Sequence, residues 1–67
     1  MQLTINGALR TFDRPIRTVG DVVRELALEG KRIAVEKNGE IVPRSRYADT
    51  AVDRADRLEI VGAVGGG

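Results

Sequence analysis

TVGDVVRELALEG, residues 18–30, decides the fold. Val19, Val22, Val23 and Leu26 recur at i, i+3, i+4 and i+7, which gathers them along one face of an α-helix. Thr18 in front of them can cap free backbone N–H groups. Asp21, three positions on, completes a capping box and carries the favourable charge for that helix end. Gly30 supplies a left-handed stop, with Lys31 and Arg32 behind it. The spacing predicts a helix over 19–29, and its apolar stripe needs a second layer to cover it.

Strand patterns flank this helix on both sides. Gln2 to Asn6 alternates polar and apolar, placing Leu3 and Ile5 inward. Asn6-Gly7 is the strongest short hairpin signal, so Ala8 to Asp13 is the expected return strand. Leu9 and Phe12 lie an odd number apart and cannot share a face without a bulge; Phe12 is expected inside and Leu9 open. Arg14-Pro15 ends the strand, because proline cannot donate to a ladder. After the helix, Ile33 to Lys37 reads as a strand with Ile33 and Val35 inward. Asn38-Gly39 marks a second hairpin, and Glu40-Ile41-Val42 is its short return, stopped by Pro43. Arg44 to Thr50 is polar and irregular, with Tyr47 as its anchor to the core. Asp53 to Asp56 is a turn, and Arg57 to Val61 is the last strand, with Leu58 and Ile60 inward.

The order strand, strand, helix, strand, strand, strand predicts an α+β domain. A mixed five-stranded sheet folded over one main helix buries both apolar faces in a single contact. This is the β-grasp arrangement of ubiquitin-like proteins. The expected organisation is a domain over 1–61 and a flexible C-terminal glycine tail over 62–67.

Composition removes several functions. The 67 residues contain no Cys and no His, which excludes a disulfide scaffold, thiol nucleophiles and the usual general base, and nearly every zinc site. Charged residues make up 31% with a formal net charge of +1, and they interleave, so no basic stripe for nucleic acid forms. Phe12 and Tyr47 are too few to build a base-stacking platform. No apolar run approaches the roughly 20 residues that span a bilayer, and Met1 to Thr4 lacks a signal-peptide pattern. The scattered carboxylates read as a solvated ion-pair surface, and Gly20 alone makes no phosphate loop. The expectation is a small cytoplasmic protein, monomeric when free, with no catalytic residues and no metal.

The sequence closes on Gly62-Ala63-Val64-Gly65-Gly66-Gly67. A glycine triplet also fits a frayed terminus. What separates the two readings is the strand that leads straight into it. Six extended residues reach roughly 20 Å from the sheet at about 3.4 Å each. Glycine, without a Cβ, enters slots closed to other residues. A carboxylate on such a thread is a poor acyl donor until activated. Joining it to the nucleotide of ATP gives an acyl-adenylate, which a sulfur nucleophile can displace. A side chain on Gly67 would crowd that attack, which needs an approach of about 3–3.5 Å. Val64, apolar in a bare tail, is expected to anchor in a partner's groove beside Gly65. Val61, turned outward at the root of the tail, reads either as a second anchor or as an isolated surface valine. Arg44 and Arg46 read as a solvated loop that can add charge pairing.

Met1-Gln2-Leu3-Thr4-Ile5-Asn6-Gly7, Asn38-Gly39-Glu40-Ile41-Val42-Pro43-Arg44, and Leu58-Glu59-Ile60-Val61 running to Val64-Gly65-Gly66-Gly67 together resemble the ThiS family of sulfur carriers in thiamine biosynthesis. The resemblance covers essentially the whole chain. It departs at Tyr47, where tryptophan is expected, and at Arg54-Ala55-Asp56, which replaces a glycine-containing turn. It implies that an E1-like adenylating enzyme activates Gly67 with ATP, with Gly66 as the required neighbour. It further implies that sulfur drawn from cysteine by a desulfurase converts the terminus to a thiocarboxylate, and that thiazole synthase takes the sulfur. No cofactor is expected on the chain itself. Three rivals stand beside this: a small-subunit carrier for molybdopterin synthesis, a ubiquitin-like modifier that forms isopeptides, and a plain binding module with an idle tail. The Ile41-Val42-Pro43-Arg44 segment and the short length favour thiamine.

Overall fold

The computed structural model describes residues 1–62. Its elements are β1 (Gln2–Ile5), β2 (Ala8–Thr11), α1 (Val19–Glu25), β3 (Ile33–Lys37), β4 (Glu40–Val42), a 3₁₀ turn (Arg44–Arg46) and β5 (Arg57–Gly62). The five strands form one sheet in the order β2-β1-β5-β3-β4. Every pairing is antiparallel except β1 with β5, which is parallel. The β-grasp expectation holds, and the last strand lies in the middle of the sheet.

Both Asn-Gly pairs make the expected hairpins. Asn6 and Gly7 have φ of 53° and 79°, and Asn38 and Gly39 have 53° and 86°. Two left-handed residues in series twist the turn to match the flanking strands. The registers Ile5↔Ala8 and Lys37↔Glu40 follow from those two-residue loops.

Strand alternation builds one side of the core from Leu3, Ile5, Val35, Val42, Leu58 and Ile60. Val19, Val22 and Val23 of α1 supply the other. Phe12 is buried and Leu9 is 63% exposed. No bulge is needed, because Phe12 follows β2 on the inward parity and exchanges backbone hydrogen bonds with Met1 at 2.8 and 3.0 Å. Ile33 is only partly buried against the core, as is Tyr47. Ile16 and Val52, from the connections, are buried members that periodicity did not reveal. A short bridge between Thr18 and Ala51 draws their segments together, with Val52 N–H donating to the Arg17 carbonyl at 2.9 Å.

The helix starts as expected and stops early. Asp21 N–H donates to Thr18 Oγ1 at 3.2 Å, while Asp21 Oδ2 accepts from the Thr18 and Arg17 N–H groups at 3.1 and 2.8 Å. The end is at Glu25, with Leu26 as cap, rather than at Glu29. Ala27 takes the left-handed position, φ 57°, that Gly30 was expected to fill. Its N–H donates to the Arg24 carbonyl at 3.0 Å and the Leu28 N–H to the Val23 carbonyl at 2.9 Å, the paired bonds of a Schellman stop. Reversing there lets Leu28 pack on the core, and that burial offsets a left-handed cost of about 1–2 kcal/mol at alanine. Gly30, φ 76°, serves the following turn instead.

Replacing Ala27 by Gly removes this cost, less the extra chain entropy glycine loses on folding. Ala27→Gly is expected to stabilise the domain by about 0.5–1 kcal/mol, seen as a Tm higher by roughly 2–8 °C in thermal denaturation. A lower Tm would contradict the left-handed stop at this position.

Candidate functional site

β5 is the element that leads toward the C-terminal glycines. Leu58 is fully buried and Ile60 nearly so, while Arg57, Glu59 and Val61 face outward. The strand runs one residue past the expected Val61, because Gly62 still pairs with Ile33. Val61 is 56% exposed and sits opposite Ala34 of β3.

Register places other residues on the same outer face. Ile41 of β4, 73% exposed, lies opposite Glu36, and Glu36 lies opposite Glu59. An apolar pair, Ile41 and Val61, therefore brackets two carboxylates set directly across from one another. Like charges in that position destabilise a sheet slightly. Among the described residues neither carboxylate forms an ion pair. This face offers apolar contact and two carboxylates beside Gly62, with Arg57 outward at the other end of β5. Ile41 was not singled out from sequence as a surface residue, although alternation against the inward Val42 marks it as outward.

Side-chain amides hold β5 from both hairpin turns. The Asn6 N–H donates to the Leu58 carbonyl at 2.9 Å. The Asn6 side chain accepts the Ile60 N–H at Oδ1 (2.7 Å) and donates from Nδ2 to the Ile60 carbonyl (2.9 Å). Asn38 does the matching job at the start of the strand. Its N–H donates to the Arg57 carbonyl at 2.8 Å and its Oδ1 accepts the Arg57 N–H at 2.9 Å. The Asn38 Nδ2 then donates to Asp56 Oδ1 at 2.9 Å. That bond, with the Asp53 N–H and the Lys37 ammonium, holds the Asp56 carboxyl below its ordinary value, against the opposing effect of partial burial. Neither amide role was anticipated; Asn-Gly reads as a turn signal and says nothing of where the side chain goes.

Of the residues expected to act, Val61 stands exposed at the end of the sheet. Val64, Gly65, Gly66 and Gly67 lie outside the described residues. Arg44 and Arg46 are engaged within the chain, Arg44 Nη2 donating to the Lys31 carbonyl at 3.1 Å and Arg46 lying 3.7 Å from Asp49.

The family model described as ThiS family matches residues 3–67. A thiazole synthase from Paramagnetospirillum magneticum is 48% identical over 67 residues; the match covers all of this chain and 20% of that protein, so the chain spans about a fifth of its length. The sulfur carrier protein ThiS of Bacillus subtilis is 35% identical over 65 residues, covering 97% of this chain and 98% of that one. Among solved structures, the thiamine biosynthesis protein ThiS from Geobacter metallireducens superposes with a TM-score of 0.82 at 32% identity, covering both chains completely.

The carboxyls of Asp56 and Asp21 are both held below the ordinary value of 3.8 in the fold, Asp21 chiefly by the Arg17 N–H. A depressed carboxyl pKa adds stability that is complete well above the unfolded value and is lost as pH falls through the folded one. Urea unfolding between pH 7 and pH 2 is therefore expected to show an acid limb below about pH 4. Asp56→Asn should flatten that limb while lowering stability at neutral pH. A limb of unchanged steepness in the variant would refute the assignment.

Proposed function

The chain belongs to the ThiS family, and from that premise we propose that it carries sulfur for thiazole formation on the carboxylate of Gly67. It acts as a carrier, a substrate of other enzymes rather than a catalyst. The carboxylate oxygen attacks the α-phosphorus of ATP in an adenylating partner, and pyrophosphate leaves. A persulfide formed by a cysteine desulfurase system then adds at the carbonyl carbon and AMP departs, leaving an acyl disulfide. A thiol attacks the outer sulfur of that bond, is oxidised to a disulfide, and frees the terminus as a thiocarboxylate. Thiazole synthase receives the sulfur. No cofactor stays on the carrier, and the exchange takes place in the cytoplasm.

The observation that carries this reading is the family match over 3–67, which takes in the whole glycine run. The fold supports it: β5 is held to its last described residue, so anything beyond starts from a fixed root. The likeness to part of a thiazole synthase supports that enzyme as a partner. Val61 and Ile41 serve as apolar contacts for the partner, with Gly65 and Val64 entering its groove behind Gly66 and Gly67.

Intact-protein mass spectrometry tests the reading. Incubated with ATP, cysteine and cell extract, the chain is expected to exchange one oxygen for one sulfur, and deletion of Gly67 to abolish the exchange. Higher-mass conjugates would instead mark a protein modifier, and an unchanged mass would overturn the sulfur-carrier mechanism.

The outer face has its own test. Val61→Asp and Ile41→Asp replace exposed strand side chains and add a carboxylate beside Glu59 or opposite Glu36, so folding stability is expected to fall by about 1 kcal/mol, leaving the domain folded. The rate of sulfur gain at low carrier concentration is expected to fall about tenfold, equivalent to about 1.4 kcal/mol of lost partner binding. Rates equal to wild type in both variants would remove this face from the interface.

A further inference from the structure

β5 is held unequally on its two sides. Along β3 the pairing is continuous from Lys37↔Leu58 to Ile33↔Gly62. Along β1 it consists of Thr4↔Arg57 and Ile5↔Leu58, and then β1 turns away at Asn6-Gly7. The Ile60 N–H and carbonyl point to that vacated side. A carboxamide has the same donor and acceptor layout as a peptide group, and the Asn6 side chain puts one there, at 2.7 and 2.9 Å. In effect β1 is lengthened by one residue without the backbone going straight on.

Few residues meet both demands of the position. Asn6 stands at φ 53°, where Asn and Asp are among the side chains best tolerated. Of these, Asp lacks the donor that the Ile60 carbonyl takes. Glycine suits the turn and has no clasp at all.

We propose that Asn6 is a positioning residue for sulfur transfer, fixing the direction in which the chain leaves the sheet toward Gly67. This rests on the reading of Gly67 given above. Without the clasp, Ile60 to Gly62 are held only by β3, and two-stranded ribbons twist more than strands inside a sheet. The exit direction then spreads, and a terminus that must meet a reacting atom loses rate with small misplacements. Asn38 provides a matched control. It has the same turn and clasps the same strand, but at Arg57, the end away from the glycines.

The experiment compares Asn6→Gly with Asn38→Gly in the full chain. Sulfur gain is followed by intact mass with ATP, cysteine and cell extract, across carrier concentrations, and Tm is recorded for each. Asn6→Gly is expected to lower the maximal rate about tenfold with little change in half-saturating concentration. Asn38→Gly should retain a rate within about twofold of wild type at a similar loss of Tm. Amide exchange is expected to quicken at Ile60 in the first variant and at Arg57 in the second. Asn6→Asp keeps the acceptor but not the donor; it should also be slow, and it replaces Asn6→Gly if that variant melts below the assay temperature. Equal slowing by the Asn6 and Asn38 variants, or a wild-type rate in the Asn6 variants, overturns the positioning role alone. A wild-type chain that gains no sulfur overturns the reading of Gly67 itself, and the positioning role with it.

Discussion

A strand inside a sheet must have its backbone groups satisfied on both sides, and in this molecule that demand falls hardest on β5. It is the strand that joins the two hairpins into one sheet. Through Leu58 and Ile60 it also places two side chains at the centre of the core. Remove its pairings and two isolated hairpins remain, each marginal in water, with a seven-residue helix that is too short to stand alone. The buried cluster, the seating of the helix and the position of Gly62 all follow from this strand.

That dependence explains why both turns carry asparagine. An Asn-Gly turn needs left-handed backbone at both positions, and glycine would meet that need as well as asparagine does. The asparagine side chains do a second thing, reaching across to β5 at Ile60 and at Arg57. Each hairpin thus grips the central strand with its loop as well as with its strands. The two grips sit at opposite ends, so the strand is fixed in register along its length.

Much of this was legible in the sequence, where local chemistry and period agree. Leu3 and Ile5, Leu58 and Ile60, the Thr18–Asp21 cap and both hairpins all rest on interactions between near neighbours in the chain. What escaped reading depends on distant partners. Ile16 and Val52 are single apolar residues in connections, without a period to mark them, and are buried because the Thr18–Ala51 bridge folds their segments inward. The helix ends before its natural glycine stop because packing Leu28 outweighs the cost of a left-handed alanine. At the site, alternation revealed Val61 as outward, whereas the opposed pair Glu36 and Glu59 becomes visible only when the register of β3 against β5 is known.

The parallel pairing of β1 with β5 has a mechanical consequence. A pull applied to the end of β5 at Gly62 acts in line with the strand's axis. The bonds to β1 and β3 lie across that line, so the load is borne by all of them together in shear instead of being released one at a time as in unzipping. A small domain seated this way withstands a pull at Gly62 while its body keeps its shape.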